Sequence, residues 1–233
     1  MIFEAGCGVG NAMFPVLADN ENPLLKIHGR DYSPRAIEVL KTDPQFNSQY
    51  ATADVWDMAS EELPAGIEEE SVDVITLLFV LSALVCLHDT WTKFKEPRQW
   101  KQAISNLHRL LKPGGLICFR DYGRYDMTQL RFKKERLLDD NFYIRGDGTR
   151  VYFFEESTAY WSLLMADELE EIFSDFAIDQ LVVDRRLLVN RQNLKKMYRV
   201  WFQGRFRKLR PGEEKSVPQR SVRNSDSGEE IDS

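Results

Sequence analysis

The sequence predicts an α/β fold built on a mostly parallel sheet with helices on both faces. Three observations point there. Strand and helix patterns alternate from residue 2 to about residue 121, a glycine-rich turn joins the first strand to the first helix, and successive strands end in carboxylates. Ile2-Phe3-Glu4-Ala5 reads as a short buried strand, Gly6-Cys7-Gly8-Val9-Gly10 as a loop, and Asn11 to Leu17 as a helix. Lys26 to Asp31 is a second strand; Ser33-Pro34 then supplies a helix cap and a proline at the first helical position. The helix runs over Arg35 to Lys41 and stops at Asp43-Pro44. Tyr50 to Val55 is a third strand, and Ser71 to Leu81 a fourth, apolar on both faces as a central parallel strand is. A helix from about Arg98 to Leu111 ends at Lys112-Pro113-Gly114-Gly115, and Leu116 to Asp121 forms the fifth strand.

The second half is less regular. Tyr122 to Phe154 is dense in Arg, Lys, Tyr and Phe, with a turn at Gly146-Asp147-Gly148. A helix over about Asp167 to Phe176 leads to two long β-like runs, Ile178 to Val189 and Lys196 to Phe206, which bring the strands to seven. Residues 1–210 therefore read as one domain. Residues 211–233 are polar and Ser-rich, too poor in apolar surface to offset their ordering entropy, and read as a disordered tail.

Composition narrows the setting. The chain of 233 residues is 43% hydrophobic, enough for one sizeable core, and its net charge of −6 does not advertise a nucleic-acid binder, although a local basic face is compatible with it. Cys7, Cys86 and Cys118 form neither a disulfide framework nor a metal-ligand spacing, so no metal is expected and the compartment is reducing. No signal peptide is visible, and the apolar stretch Val74 to Leu87 is too short to span a bilayer. A cytoplasmic location is the default, with the nucleus as the alternative, and no membrane partner is expected. His28, His88 and His108 form no cluster and read as structural.

Glycines at alternate positions let a backbone take positive φ and let a ligand approach without a Cβ in the way. The spacing at Gly6, Gly8 and Gly10 is G-x-G-x-G rather than the G-x-G-x-x-G of hydride-transfer dinucleotide folds. Asp31, at the end of the second strand, is placed for ribose hydroxyls. Asp54, at the end of the third, is placed for an adenine amino group, with Val55 against the ring and Leu78 of the fourth strand nearby. Carboxylates would repel phosphates, whereas S-adenosylmethionine brings a sulfonium and an ammonium. The competing reading is a tight turn with two solvated aspartates.

The chain resembles Rossmann-like class I methyltransferases at these positions, and its second half resembles the tRNA N3-methylcytidine methyltransferases. The matching strings are Phe119 to Met127, Asn141 to Phe154, Val183 to Arg191 and Met197 to Trp201, and the likeness covers roughly residues 2 to 207. The resemblance implies a seven-stranded sheet, S-adenosylmethionine as cofactor, and methyl transfer to N3 of cytidine 32 in the anticodon loop of threonine, arginine or serine tRNAs. An anticodon stem-loop is then the partner, with an aminoacyl-tRNA synthetase or an accessory protein as a further one.

Cytosine N3 carries a lone pair and attacks without prior deprotonation, but the base must be unpaired and unstacked. Methylation leaves the ring cationic, so a nearby carboxylate would stabilise developing charge. Asp121, at the carboxyl end of the fifth strand, is the candidate, with a capping role for the following loop as the equal alternative. Arg120, Arg124, Arg131, Lys133, Lys134, Arg145 and Arg150, interleaved with Tyr122, Tyr125, Phe142, Tyr143 and Tyr152, supply cations and stacking surfaces suited to single-stranded RNA. Arg185, Arg186 and Arg191 extend the same set; the alternative is a solvated face over core aromatics.

The chain also departs from the family. It starts at the strand of its own glycine loop, so an upstream lid segment with Trp and Tyr residues is not expected in it. Residues 85–97 and 157–166 read as apolar insertions. These departures keep open a second function, a non-catalytic RNA-binding or partner-stabilising protein.

Overall fold

The central sheet runs in the order β3-β2-β1-β4-β5-β10-β9, with β11 added beyond β9. The strands are β1 (Ile2–Ala5), β2 (Ile27–Asp31), β3 (Ala51–Val55), β4 (Val72–Leu78), β5 (Leu111–Tyr122), β9 (Phe176–Asn190), β10 (Lys195–Lys208) and β11 (Arg220–Ser225). Strands β1 to β5 pair in parallel, and β10 lies antiparallel to both β5 and β9. This is the computed structural model of residues 1–84, 98–155, 168–190, 195–215 and 220–225. The two stretches read as insertions lie outside these described residues, as do Cys86, His88 and Arg191.

Helices cover both faces. α1 (Met13–Ala18) and α2 (Pro34–Thr42) flank β1–β3, where Met13, Phe14, Ile37 and Leu40 bury against Ile27, Ala51 and Ala53. α3 (Arg98–Leu110) and α5 (Glu168–Ile172) contribute to the larger cluster, in which Trp100, Ile104 and Leu107 meet Ile75, Ile117 and Phe173. The cap read at Ser33-Pro34 is formed: Ser33 Oγ accepts from the Ala36 N–H at 3.2 Å. α3 ends one turn-residue sooner than the sequence suggests, because the chain from Leu111 onward already pairs with β4.

Two features lie beyond the sequence reading. A separate antiparallel sheet, β6 (Leu137–Asp139), β7 (Phe142–Ile144) and β8 (Arg150–Tyr152), follows the short α4 (Met127–Leu130), and the Gly146-Asp147-Gly148 turn joins β7 to β8. Within the stretch read as a disordered tail, Arg220–Ser225 instead pairs in parallel with Leu181–Arg186 of β9. Composition argues against a packed core there, but an open strand edge offers backbone N–H and C=O groups to any extended chain.

Candidate active site

The turn after β1 is fixed to β2 by its backbone. The Gly6 and Cys7 N–H groups both donate to the Arg30 carbonyl, at 2.7 and 3.0 Å. Gly6 has φ +71°, and a Cβ there would meet the Val80 side chain at 2.3 Å; Gly10 has φ +93°, and a Cβ would meet Phe14 at 2.6 Å. Gly8 is different: φ is +52°, nothing lies within 4 Å of a Cβ position, and its N–H donates to Asp31 Oδ2 at 2.8 Å. Two of the glycines are demanded by packing and one by an open backbone.

A cleft of about 610 Å³ opens beside Gly6 at the carboxyl ends of these strands. Asp31 lines it, with Oδ1 accepting from the Ser33 N–H at 2.8 Å. Both donors to Asp31 are backbone groups, so each carboxylate oxygen keeps a lone pair for a ligand hydroxyl. Leu78 also lines the cleft. Gly8 and Gly10 do not line it themselves; Gly8 reaches it through Asp31.

Asp54 and Val55 end β3, as the sequence reading has it, but neither lines the cleft. Asp54 is exposed, pairs with Lys41 Nζ of α2 at 3.0 Å and with Arg30 at 3.5 Å, and lies outside the cleft wall. Val55 is 51% exposed and also outside it. The chain runs on past β3, with the Trp56 N–H donating to the Asp31 carbonyl, before Trp56, Asp57 and Met58 form that wall. The end of β3 at Val55 is where the sequence reading put it, and the cleft wall is built by the irregular chain that follows the strand.

Glu4 is buried beneath the turn, and its carboxyl is pushed up to about 7, first by burial and then by the neighbouring charge of Asp31; a backbone hydrogen bond from Met13 works against both. Asp31 at the cleft and Glu4 buried beside it make this end of the cleft acidic, an environment that favours a cation over a phosphate.

Asp121 is also not at the cleft. It is completely buried, with Oδ2 accepting from the Ser82 N–H and Oδ1 from the Tyr122 N–H, both at 2.9 Å. Burial raises its carboxyl to about 6 against these donors and the charge of Arg145. Its geometry is that of a clamp on the turn after β4, a role distinct from both the charge stabilisation and the cap on the following loop that the sequence offered.

The arginines divide into groups. Arg145 and Arg150, at the two ends of the β7–β8 turn, line the cleft opposite Asp31, and Arg145 sits 5.4 Å over the Tyr122 ring. Arg120 lies 4.9 Å from the Trp201 ring centroid and 3.7 Å from Asp184; Arg199 lies 4.8 Å from the same ring. Arg186 chelates Asp184 at 2.9 and 3.0 Å. Arg124 pairs with Glu155 and sits 5.0 Å over Tyr125, which is 63% exposed, and Arg185 is exposed on β9. Structure thus brings Arg145 and Arg150 to the cleft and holds Arg120, Arg124 and Arg186 in internal ion pairs.

Residues 3–117 match the family model described as a methyltransferase domain. A SAM-dependent methyltransferase from Methanosarcina mazei superposes with a TM-score of 0.61 at 18% identity, covering 90% of this chain and 92% of that one. A tRNA(Thr) (cytosine(32)-N(3))-methyltransferase of Saccharomyces cerevisiae is 51% identical over 209 residues, 88% of this chain and 30% of the relative. The tRNA N(3)-methylcytidine methyltransferase trm140 of Schizosaccharomyces pombe is 50% identical over 89% of this chain, and the mouse tRNA N(3)-cytidine methyltransferase METTL2 is 45% identical over 97%. The chain belongs to the tRNA N3-methylcytidine methyltransferase family. It spans between about a third and three fifths of the length of those relatives, 30%, 61% and 54% respectively.

For a member of this family, the cleft fits S-adenosylmethionine on its own geometry. Gly8 leaves the backbone open, Asp31 has unspent acceptors for ribose, and the acidic end suits the sulfonium and ammonium. Tyr32, Asp57, Met58 and Phe79 also line the cleft and escaped the sequence reading. Asp57 carried a readable signal, since it is the next acid after Asp54. Phe79 carried none in sequence: its role depends on φ +59° at the end of β4.

Proposed function

We propose that this chain supplies the catalytic domain of an S-adenosylmethionine-dependent tRNA methyltransferase forming N3-methylcytidine at cytidine 32, in threonine, arginine or serine tRNAs. The observation that carries it is a cleft with Asp31 beneath the glycine turn on one side and Arg145 and Arg150 on the other, in a chain half identical to a named cytosine-32 N3-methyltransferase. When bound, the cofactor supplies an electrophilic methyl. The protein holds its ribose through Asp31, favours its cationic end through the acidic pair Asp31 and Glu4, and presents Arg145 and Arg150 to the RNA backbone. Cytidine N3 needs no general base, so alignment of the base with the methyl is the chief requirement.

An aminoacyl-tRNA synthetase or accessory protein as a second RNA contact belongs to the same reading. Its support is that Arg120 and Arg186 are held by the buried Asp184, and Arg124 by Glu155. A cytoplasmic or nuclear setting is likewise proposed, on the three dispersed cysteines. The non-catalytic alternative is not favoured, because the cofactor cleft keeps its turn and its ribose acceptor. Nucleoside mass spectrometry of tRNA incubated with the chain and S-adenosylmethionine tests the proposal. N3-methylcytidine is expected, and a chain that binds no cofactor at millimolar concentration would sink it.

A further inference from the structure

We propose that Phe79 is the platform on which the acceptor pyrimidine stacks, and that its ring face stabilises the positive charge the pyrimidine gains during transfer. The inference rests on the methyltransferase reading above and names the residue that holds its substrate.

The first observation is backbone strain. Phe79 has φ +59°, a region that bulky residues avoid and glycine tolerates. The conformation is locked from β5, where the Arg120 carbonyl accepts the Phe79 N–H at 2.8 Å. A strained bulky residue at the carboxyl end of a central strand, where open α/β sheets bind ligands, marks a position held for its side chain.

The second observation is where that side chain sits. Phe79 is half-buried and lines the cleft. Its ring is held by a tilted contact with Tyr122, centroids 4.7 Å apart, and an edge contact with Trp201 at 6.1 Å, and the residue still lines the cleft. Arg145 lies over Tyr122 and lines the same cleft, placing a cation beside this aromatic group for the nucleotide's phosphate.

The third observation assigns the end of the cleft. Val80, the next residue, packs against Gly6 so closely that a Cβ on Gly6 would meet it at 2.3 Å. Phe79 therefore borders the glycine turn, which takes the methionine end of the cofactor. Trp56, Asp57 and Met58, which follow the strand beside Asp31, also wall the cleft. Phe79 is therefore the aromatic ring of the cleft next to the glycine turn, where a base would meet the methyl.

The chemistry gives the ring its second purpose. The cytidine N3 lone pair forms the new N–C bond, the methyl–sulfur bond breaks, and its electron pair returns to sulfur as a neutral thioether. The positive charge passes from sulfur to the pyrimidine ring, and no proton moves. An aromatic face attracts a cation, so stacking on Phe79 strengthens as the charge arrives.

The test uses the whole chain with an anticodon stem-loop carrying fluorescent pyrrolocytidine at the acceptor position, in the presence of S-adenosylhomocysteine. Wild type and Phe79→Tyr should quench the fluorophore. Phe79→Leu should bind the RNA and the cofactor within about twofold of wild type, yet lose quenching and lower kcat about tenfold on unmodified RNA. Phe79→Gly relieves the strain at φ +59° and should share the leucine variant's loss of quenching and turnover. Quenching and kcat retained in Phe79→Leu would overturn the proposal. So would a fall in melting temperature in both variants with turnover restored on cooling, which would assign Phe79 to packing. A wild-type chain that quenches without methylating would support the platform and refute the methyltransferase reading, so the two fail separately.

Discussion

The two halves of the sheet use acidic residues in opposite ways. From β1 to β4, Asp31 and Asp57 stand at strand ends facing the cleft, and Glu4 lies just beneath. From β5 to β10, Asp121, Asp126 and Asp184 are all buried, each with its oxygens occupied by the protein. In the first half a carboxylate is ligand surface; in the second it is scaffold. The second half is therefore less basic at its surface than its arginine count suggests, because Asp126 takes Arg199 and Asp184 takes Arg186 and Arg120. Arg145 and Arg150 contrast with them in facing the cleft. Counting charges along a chain misjudges a surface whenever buried counter-charges hold part of the set.

The largest test of this contrast is Asp126→Ala. Asp126 is fully buried, receives Arg199 Nε and the Val200 N–H at 2.9 Å each, and receives the Thr128 N–H at 2.8 Å. Removing it leaves a guanidinium and two backbone donors without their acceptor, a loss of about 3–5 kcal/mol. Urea denaturation should show the midpoint falling with an unchanged slope. A loss near zero would mean the acid is surface after all.

Glu4 should produce a pH effect of comparable size. Its carboxyl rises from 4.5 to about 7 on folding, so the folded chain holds a proton that the unfolded chain releases. Stability attached to this group is present below pH 4.5 and declines as pH rises to about 7, by an order of 3 kcal/mol, then levels off. Melting curves from pH 4.5 to 8 should show that decline, and Glu4→Gln should flatten it. A slope that survives the substitution would place its origin elsewhere.

The smallest effects separate two aspartates on neighbouring strands. Asp31→Asn should weaken S-adenosylhomocysteine binding about ten- to a hundredfold, through lost charge-assisted hydrogen bonds. Asp54→Asn should change it less than about twofold, since Asp54 is exposed, pairs with Lys41 and reaches the cleft only through Arg30. Calorimetry on both variants checks this, and equal losses would return Asp54 to the site.

How far the sequence was readable follows the range of the forces involved. The turn at Gly6–Gly10, the Ser33-Pro34 cap and the carboxylate at the end of β2 depend on residues a few positions apart, and all were legible. Asp57 was missed although the end of β3 was read correctly, because the irregular chain beyond a strand has no period and only tertiary packing turns it against the cleft. The sheet β6–β8 was missed because strands of three residues are too short to show a period. The clamp made by Asp121 joins groups 39 positions apart, and the Asp126–Arg199 pair groups 73 apart.

Local chemistry in the chain was thus sufficient to dictate an alternating α/β architecture, a cofactor turn and its first carboxylate. Folding settled which arginines face the cleft, which acids are spent inside, and that Phe79 stands strained at its mouth. Caps, turns and strand periodicity are written by near neighbours. Burial and ion pairing arise only when chain closure brings distant residues together and removes their water.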